Sequence, residues 1–246
     1  MVGIGPGGSE HRTRQAEAVI ETCDVVAGYT TYLELITDLT AGKTLITTGM
    51  TKEVERCRRA LEAATAGHRV AMVCSGDAGI YGMAGLILEL VAAEGFDVPV
   101  DIVPGVTACS AAAAALGAPL MCDFAVVSLS DLLMPWDTIV DRLRAVAGAD
   151  FVTALYNPRS KKRIRQLTEA IRIFMAHRGH NAPVGVVTAA GCPDESVVLT
   201  DLAHLDEQPI TMRSVVIIGN SRTQFTAGRM VTGRGYQLST RESNRR

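Results

Sequence analysis

Residues 69–82 read RVAMVCSGDAGIYG, an apolar run ending in a loop of small residues. A short, partly β-branched run bounded by glycines has the character of a strand buried on both faces. The stretch after it, 83–93, reads as a helix, which places 75–82 between a strand's C-terminal end and a helix. Open α/β sheets bind their ligands at such places. Asp77 in this loop can accept hydrogen bonds from a ligand, or it can cap the following helix.

The same alternation extends in both directions. Strands are expected at 2–5, 25–28, 43–47, 69–74 and 100–103, then at 124–128, 151–156, 184–188, 196–200 and 214–219. Between them lie helical stripes, which makes the fold class α/β with largely parallel sheets. In 51–66, Val54, Cys57, Leu61 and Ala64 share a face, Glu55 and Arg59 pair on the other, and Thr51 and Gly67 bound the helix. In 135–147, Pro135 suits the first turn, and Trp136, Ile139, Val140 and Leu143 form the buried stripe. In 160–177, Ser160 is the expected cap, with Ile164, Leu167, Ile171 and Phe174 inward. Pro119 follows a helix and a new strand starts at Phe124, so the expected organisation is domains at 1–118 and 119–240 with a polar tail at 241–246.

Composition narrows the function classes. Of 246 residues, 48% are apolar and 20% charged, and the formal net charge is −2, which excludes general disorder and gives no steering toward a polyanion. The six cysteines (23, 57, 74, 109, 122 and 192) form no C-x-x-C pair, against a structural zinc or a redox dithiol. Most lie in apolar surroundings, as Cys74 and Cys109 do, which fits buried reduced thiols and a cytoplasmic protein. The uncharged run at 102–122 is broken by Pro104-Gly105 and by Gly117-Ala118-Pro119, so a turn and a buried helix are expected there rather than a membrane span. The opening MVGIGPGG lacks the basic and apolar regions of a secretion signal. No metal site is expected, and the five histidines are expected to be exposed.

The opening loop satisfies G-x-G-x-x-G through Gly3, Gly5 and Gly8, the pattern of a dinucleotide site. Three features oppose that reading. Pro6 removes a donor where a phosphate needs one. The next helix starts only near Thr13, and Asp24 precedes the second strand instead of ending it. A third small-residue loop, 103–108, carries Thr107, which can cap its helix or contact a ligand. Three such loops at strand ends point to a shared small-molecule pocket.

GIGPG at 3–7, SGDAGIYGMAG at 75–85 and PGVTACSAAAA at 104–114 resemble the tetrapyrrole methylase family. GYTTYLELI (28–36), GMTKEVERC (49–57), SLSDLLMPW (128–136), YNPRSKKR (156–163) and VIIGNSRT (216–223) resemble its branch that methylates C-17 of precorrin-3B in cobalamin synthesis. The resemblance spans nearly the whole chain and departs from the family in a shorter first strand. It implies two α/β domains with S-adenosylmethionine in a cleft between them, a homodimer, and a ring-contracting C-methylation of a metal-free or cobalt-containing macrocycle. The positions it implies for the cofactor are Pro6, Ser75, Gly76, Asp77, Ile80, Thr107 and Ala108. From the second domain it adds Tyr156, Asn157, Gly191 and Ser214. Pro6 is natural in that setting, because this cofactor has no phosphate to cradle.

Glu53, Arg56, Ser130, Arg159 and Lys161 are candidate substrate contacts. The basic run at 159–165 is either a solvated helix face or a site for the macrocycle's carboxylates; without interleaved aromatics it is a poor nucleic-acid footprint. The residues that move protons during ring contraction are not identified. The alternatives are methylation of another corrin position and, in a different class, a nicotinamide-dependent oxidoreductase.

Overall fold

The computed structural model describes residues 1–237, and the expected tail at 241–246 lies outside the described residues. The chain divides into two compact units, Met1–Ala112 with Thr188–Ser196, and Ala113–Val187 with Val197–Arg246.

The first unit contains β1 (Val2–Gly3), α1 (Arg14–Glu21), β2 (Val25–Tyr29), α2 (Thr30–Glu34), β3 (Thr44–Thr48), α3 (Glu53–Thr65), β4 (Val70–Cys74) and α4 (Ala84–Glu94). The strands form one parallel sheet in the order β1-β4-β2-β3. Successive side chains of a strand point to opposite faces. Val25 and Ala27 accordingly join Cys57, Leu61, Ile87 and Leu90 of α3 and α4, whereas Val26 and Val73 join Ala16, Ile20 and Leu33 on the other face. Helices on both faces bring all the strand-to-helix loops to one end of the sheet. Thr13 caps α1, its Oγ1 accepting from the Ala16 amide at 3.1 Å. Gly95, at φ +71°, ends α4.

α5 (Ala108–Leu116) spans the division, and the second unit continues with β5 (Gly117–Ala118), β6 (Phe124–Ser128), α6 (Trp136–Gly148), β7 (Val152–Tyr156), α7 (Arg165–Arg178), β8 (Pro183–Thr188), β9 (Ser196–Asp201), β10 (Ser214–Ile218), β11 (Thr223–Thr226) and β12 (Arg229–Thr232). Five strands run in the order β6-β7-β10-β8-β9; β6 and β7 are parallel, and β10 is antiparallel to β7, so this sheet is mixed. Leu143 of α6 and Leu167 and Phe174 of α7 fill its core with Leu155 and Val216. Arg178 ends α7 in the interior, its guanidinium donating to the carbonyls of Gly219 and Phe151 at 2.5 Å each and lying over the Phe174 ring. Burial lowers its pKa to about 10.

Several expectations change. Residues 100–103 form no strand, only a single bridge from Val2 to Val103, because Pro99 and Pro104 flank the segment and lack the amides a ladder needs. Thr188–Ser196, expected in the second domain, groups with the first unit, whose main segment ends at Ala112 where 118 was expected. On α3, Val54 is 46% exposed and the buried face runs through Arg56, Cys57, Ala60 and Leu61 instead. The expected Glu55–Arg59 pair is replaced by Lys52–Glu55 at 3.5 Å. α7 starts at Arg165 rather than at Ser160, whose Oγ instead accepts from the Arg163 amide in a preceding turn; Ile164 is 55% exposed. The hairpin β11–β12 is an addition, closed by Ala227 and Gly228, both at positive φ.

The cysteines are free, with Cys23, Cys57, Cys74 and Cys109 buried and Cys122 and Cys192 half-buried. Burial raises the Cys57 thiol to about 12 and that of Cys109 to about 11. Among the described residues no helix is long and apolar enough to cross a membrane.

Ahead of α1, Arg12 donates to both Asp38 carboxylate oxygens, at 2.6 and 3.0 Å, and to the Leu35 carbonyl at 2.7 Å. Bonding to Arg12 holds the Asp38 carboxyl below the usual range. A lowered folded pKa adds stability above the unfolded value and loses it as pH falls through the folded one. Asp38→Asn is therefore expected to unfold at lower urea than the parent at pH 7, with the gap closing below about pH 4. An unchanged gap from pH 7 to pH 3, in urea titrations followed by circular dichroism, would refute the assignment.

Candidate functional site

Three backbone segments meet at the C-terminal end of the first unit's sheet. The amides of Gly3, Ile4 and Gly5 donate to the carbonyls of Val103, Cys74 and Gly76 at 2.9, 2.9 and 3.1 Å, and the Gly76 amide returns a bond to Gly5 at 2.9 Å. Side chains are excluded from this junction. A Cβ on Gly105 would stand 2.1 Å from the Gly76 carbonyl oxygen, and one on Gly3 would stand 2.7 Å from the Gly105 amide. The opening glycines therefore serve close packing of loop on loop. The Gly8 amide is also spent, on the Gly191 carbonyl at 3.1 Å. A phosphate cradle needs such amides aimed outward, and the loop runs into a short turn before α1 rather than opening it. Asp24, at the opposite end of β2, accepts from the Arg69 amide at 2.9 Å and is not placed to hold a ribose.

Asp77 ties the junction together. Its Oδ1 accepts from the amides of Gly79 and Ile80 at 2.8 and 3.2 Å, and its Oδ2 accepts from Gly105 at 2.9 Å. The carboxylate thus bridges the loop after β4 to the loop before α5. Of the positions expected for a cofactor, Pro6, Ser75, Gly76, Asp77, Ile80, Thr107, Ala108 and Gly191 all lie in this one unit. The segment holding Gly191 packs on the opening loop: a Cβ on Gly7 would stand 1.8 Å from the Gly191 oxygen. Ile80 is 42% exposed, so the loop offers an apolar side chain to a ligand.

The remaining expected positions lie in the second unit. Asn157 follows β7 at φ +51°, and its Nδ2 donates to the Ser128 hydroxyl at 3.0 Å. Ser128 also accepts from the Ser130 amide at 3.2 Å, so the ends of β6 and β7 form one polar knot with Tyr156, whose carbonyl accepts from Leu129. Ser214 is buried and its Oγ accepts from the Thr211 amide at 2.9 Å, a turn-forming position at the start of β10. Arg159 is ion-paired with Asp206, and Arg163 donates to the Asn157 carbonyl at 2.9 Å. The basic run is thus divided between structural pairing by Arg159 and Arg163 and the exposed Lys161, Lys162 and Arg165.

Glu53 and Arg56 both line a cavity of about 220 Å³ in the first unit, beside Ser75. Arg56, which an amphipathic reading of α3 leaves on the polar side, is only 2% exposed. Its burial is invisible in the helix pattern; a signal was available only in the neighbouring strand end, where Thr48 supplies an acceptor. His11 departs from the expectation of an exposed histidine, because its Nδ1 is buried. No cluster of three or more metal-ligating side chains occurs among the described residues.

A family model for tetrapyrrole (corrin/porphyrin) methylases matches residues 1–206. The chain belongs to the tetrapyrrole methylase family. It is 49% identical, over 97% of its own length and 99% of the relative's, to a probable cobalt-factor III C(17)-methyltransferase of Salmonella typhimurium. Among solved structures, the methyltransferase CobJ superposes with a TM-score of 0.88 at 36% identity, covering 94% of this chain and 98% of that one. A uroporphyrin-III C-methyl transferase from Thermus thermophilus, complexed with S-adenyl homocysteine, superposes with a TM-score of 0.68 at 25% identity, covering 89% and 95%. This tetrapyrrole methylase is accordingly an enzyme of methyl transfer, with mixed α/β architecture like its neighbours'.

In this methylase the backbone junction sets two expectations. Gly105→Ala forces the loops apart and is expected to lower the thermal midpoint by several degrees. Asp77→Ala leaves three amides without their acceptor and is expected to destabilise by about 1–3 kcal/mol in urea titration. Parent-like stability of either variant would show that the loops do not depend on this packing.

Proposed function

We propose that the chain is an S-adenosylmethionine-dependent methyltransferase acting at C-17 of a precorrin-3B-type macrocycle, cobalt-containing or metal-free, with ring contraction in cobalamin biosynthesis. The observation that carries this reading is 49% identity along essentially the full length of a C(17)-methyltransferase, not merely at the glycine loops. The junction supports the cofactor. The amides of Gly3, Ile4, Gly5, Gly8 and Gly76 are turned inward to neighbouring carbonyls, and what the junction presents outward is Ile80, Tyr81 and small residues. That surface suits an uncharged adenosine and a thioether or sulfonium chain, and it does not suit a pyrophosphate.

Pro6, Ser75, Gly76, Ile80, Thr107, Ala108 and Gly191 are the residues of the first unit that would hold the cofactor, with Asp77 fixing the loops they stand on. When bound, the cofactor supplies a methyl group already activated on a sulfonium sulfur. The reaction then needs the C-17 carbon behind that methyl, in line with the bond to sulfur. The chain's own work is therefore orientation, for which alignment of two reactants contributes up to ~7–11 kcal/mol. Rigid loops without side chains at their contact serve this, because the junction has a single way to pack. The same reading carries a cytoplasmic homodimer as a proposal, to be checked by light scattering.

The test is calorimetric titration of the protein with S-adenosylhomocysteine, with NADPH in a parallel cell. Micromolar binding of the first and none of the second is expected. NADPH binding alone would return the opening glycines to a dinucleotide site and overturn the proposal.

A further inference from the structure

The cavity in the first unit has an unusual floor. It opens at the C-terminal ends of β2, β3 and β4, where Tyr29, Thr48 and Ser75 stand, which is the ligand end of a parallel sheet. Arg56 lines it from the first turn of α3. Its Nη1 donates to the Thr48 hydroxyl at 2.6 Å and reaches the carbonyls of Gly49 and Thr48 at 3.4 and 3.5 Å, and its Nη2 faces the Met83 sulfur at 3.3 Å. The Nε is buried and has no partner. All these partners are neutral, and among the described residues no salt bridge involves Arg56.

A buried cation without an anion is costly, and native proteins pair such charges or use them. Arg178 shows how this chain treats a buried guanidinium of purely structural use: carbonyl oxygens take both terminal nitrogens, and although its Nε likewise has no hydrogen-bond partner, the Asp150 carboxylate lies 4.0 Å from it. Arg56 has no carboxylate within ion-pairing distance among the described residues, and its carbonyl contacts are longer. It is held at one edge by Thr48 and left with donor capacity beside a cavity large enough for a small acid group. Glu53 also lines the cavity, but its Oε1 is engaged by the Thr51 amide at 3.2 Å and it is partly exposed to water. Hydration weakens its field relative to that of the guanidinium below. Met50 and Tyr81, both more than half exposed, add an apolar rim.

We propose that Arg56 is a carboxylate anchor, taking one acid side arm of the macrocycle into this cavity while the flat ring rests on the apolar rim. The inference rests on the tetrapyrrole reading above and assigns one positioning residue within it. A guanidinium binds a carboxylate through charge-assisted, directional bonds, so one anchored arm fixes the rotation of the ring as well as its depth. The cofactor's methionine carboxylate offers the same chemistry, and the test separates the two sources.

Uroporphyrin III, a stable macrocycle bearing carboxylate arms, serves as the probe, with binding read by porphyrin fluorescence and S-adenosylhomocysteine binding read by calorimetry. Arg56→Gln is expected to weaken porphyrin binding on the order of tenfold or more and to leave S-adenosylhomocysteine affinity unchanged, and Arg56→Lys to recover part of the loss because the charge returns. Met50→Glu, at an exposed position, places a like charge at the mouth and is expected to weaken porphyrin binding without a change in thermal midpoint, which covers the case where an Arg56 variant does not fold. Parent-like porphyrin binding by folded Arg56→Gln, or no effect of Met50→Glu, overturns the anchor. A loss confined to S-adenosylhomocysteine assigns the carboxylate to the cofactor and overturns the macrocycle assignment. If the parent binds neither probe, the failure lies with the functional reading itself.

Discussion

The approach of three backbones without intervening side chains is the constraint from which the first unit is built. Gly3 and Gly105 stand closer to each other and to the Gly76 carbonyl than a Cβ on either allows, and the three come from distant parts of the chain. Hydrogen bonds between the loops and the Asp77 carboxylate close the contact from opposite sides. The benefit is rigidity at the place where a ligand needs a fixed wall. The consequence for chemistry is that backbone donors normally available at strand ends are used internally. A ligand here must be recognised by shape, apolar contact and remaining carbonyls, which separates this loop from the dinucleotide loop it resembles in sequence.

Two buried arginines show how one residue type serves different ends. Arg178 is enclosed by carbonyls at the end of α7 and works as a staple between α7 and the ends of β7 and β10. Arg56 is held by a hydroxyl, a sulfur and two more distant carbonyls, with no carboxylate in ion-pairing distance among the described residues. Their sequence surroundings do not distinguish them. What separates them is the number of backbone acceptors that the neighbouring strand ends happen to present.

Much of the architecture was legible because it rests on local pattern. The apolar strands at 25–28 and 69–74 and the stripe Ile139, Val140, Leu143 of α6 needed only periodicity, and Pro6 and Asp24 were enough to question a dinucleotide site. Features set by distant partners were not legible. The buried face of α3 rotates away from Val54 because Thr48 and Met83 draw Arg56 inward, and no property of α3 alone encodes that. Residues 100–103 look like a strand until the flanking prolines are weighed against the ladder they would have to join. The hairpin of β11 and β12 is the reverse case: Thr226-Ala227-Gly228-Arg229 is a two-residue turn whose signal is local. For the site, the loops were legible and their use was not. Asp77 was placed correctly in a loop, but its partner Gly105 lies 28 residues away.

The distribution of thiols has a practical side. Four of the six cysteines are sealed in the interior, where burial raises the pKa of each thiol. The two with access to solvent are Cys192, in the first unit, and Cys122, in the second. Thiol chemistry therefore addresses one atom in each half of the molecule without any engineered residue. A donor and an acceptor dye attached there turn the native chain into its own ruler, read one molecule at a time.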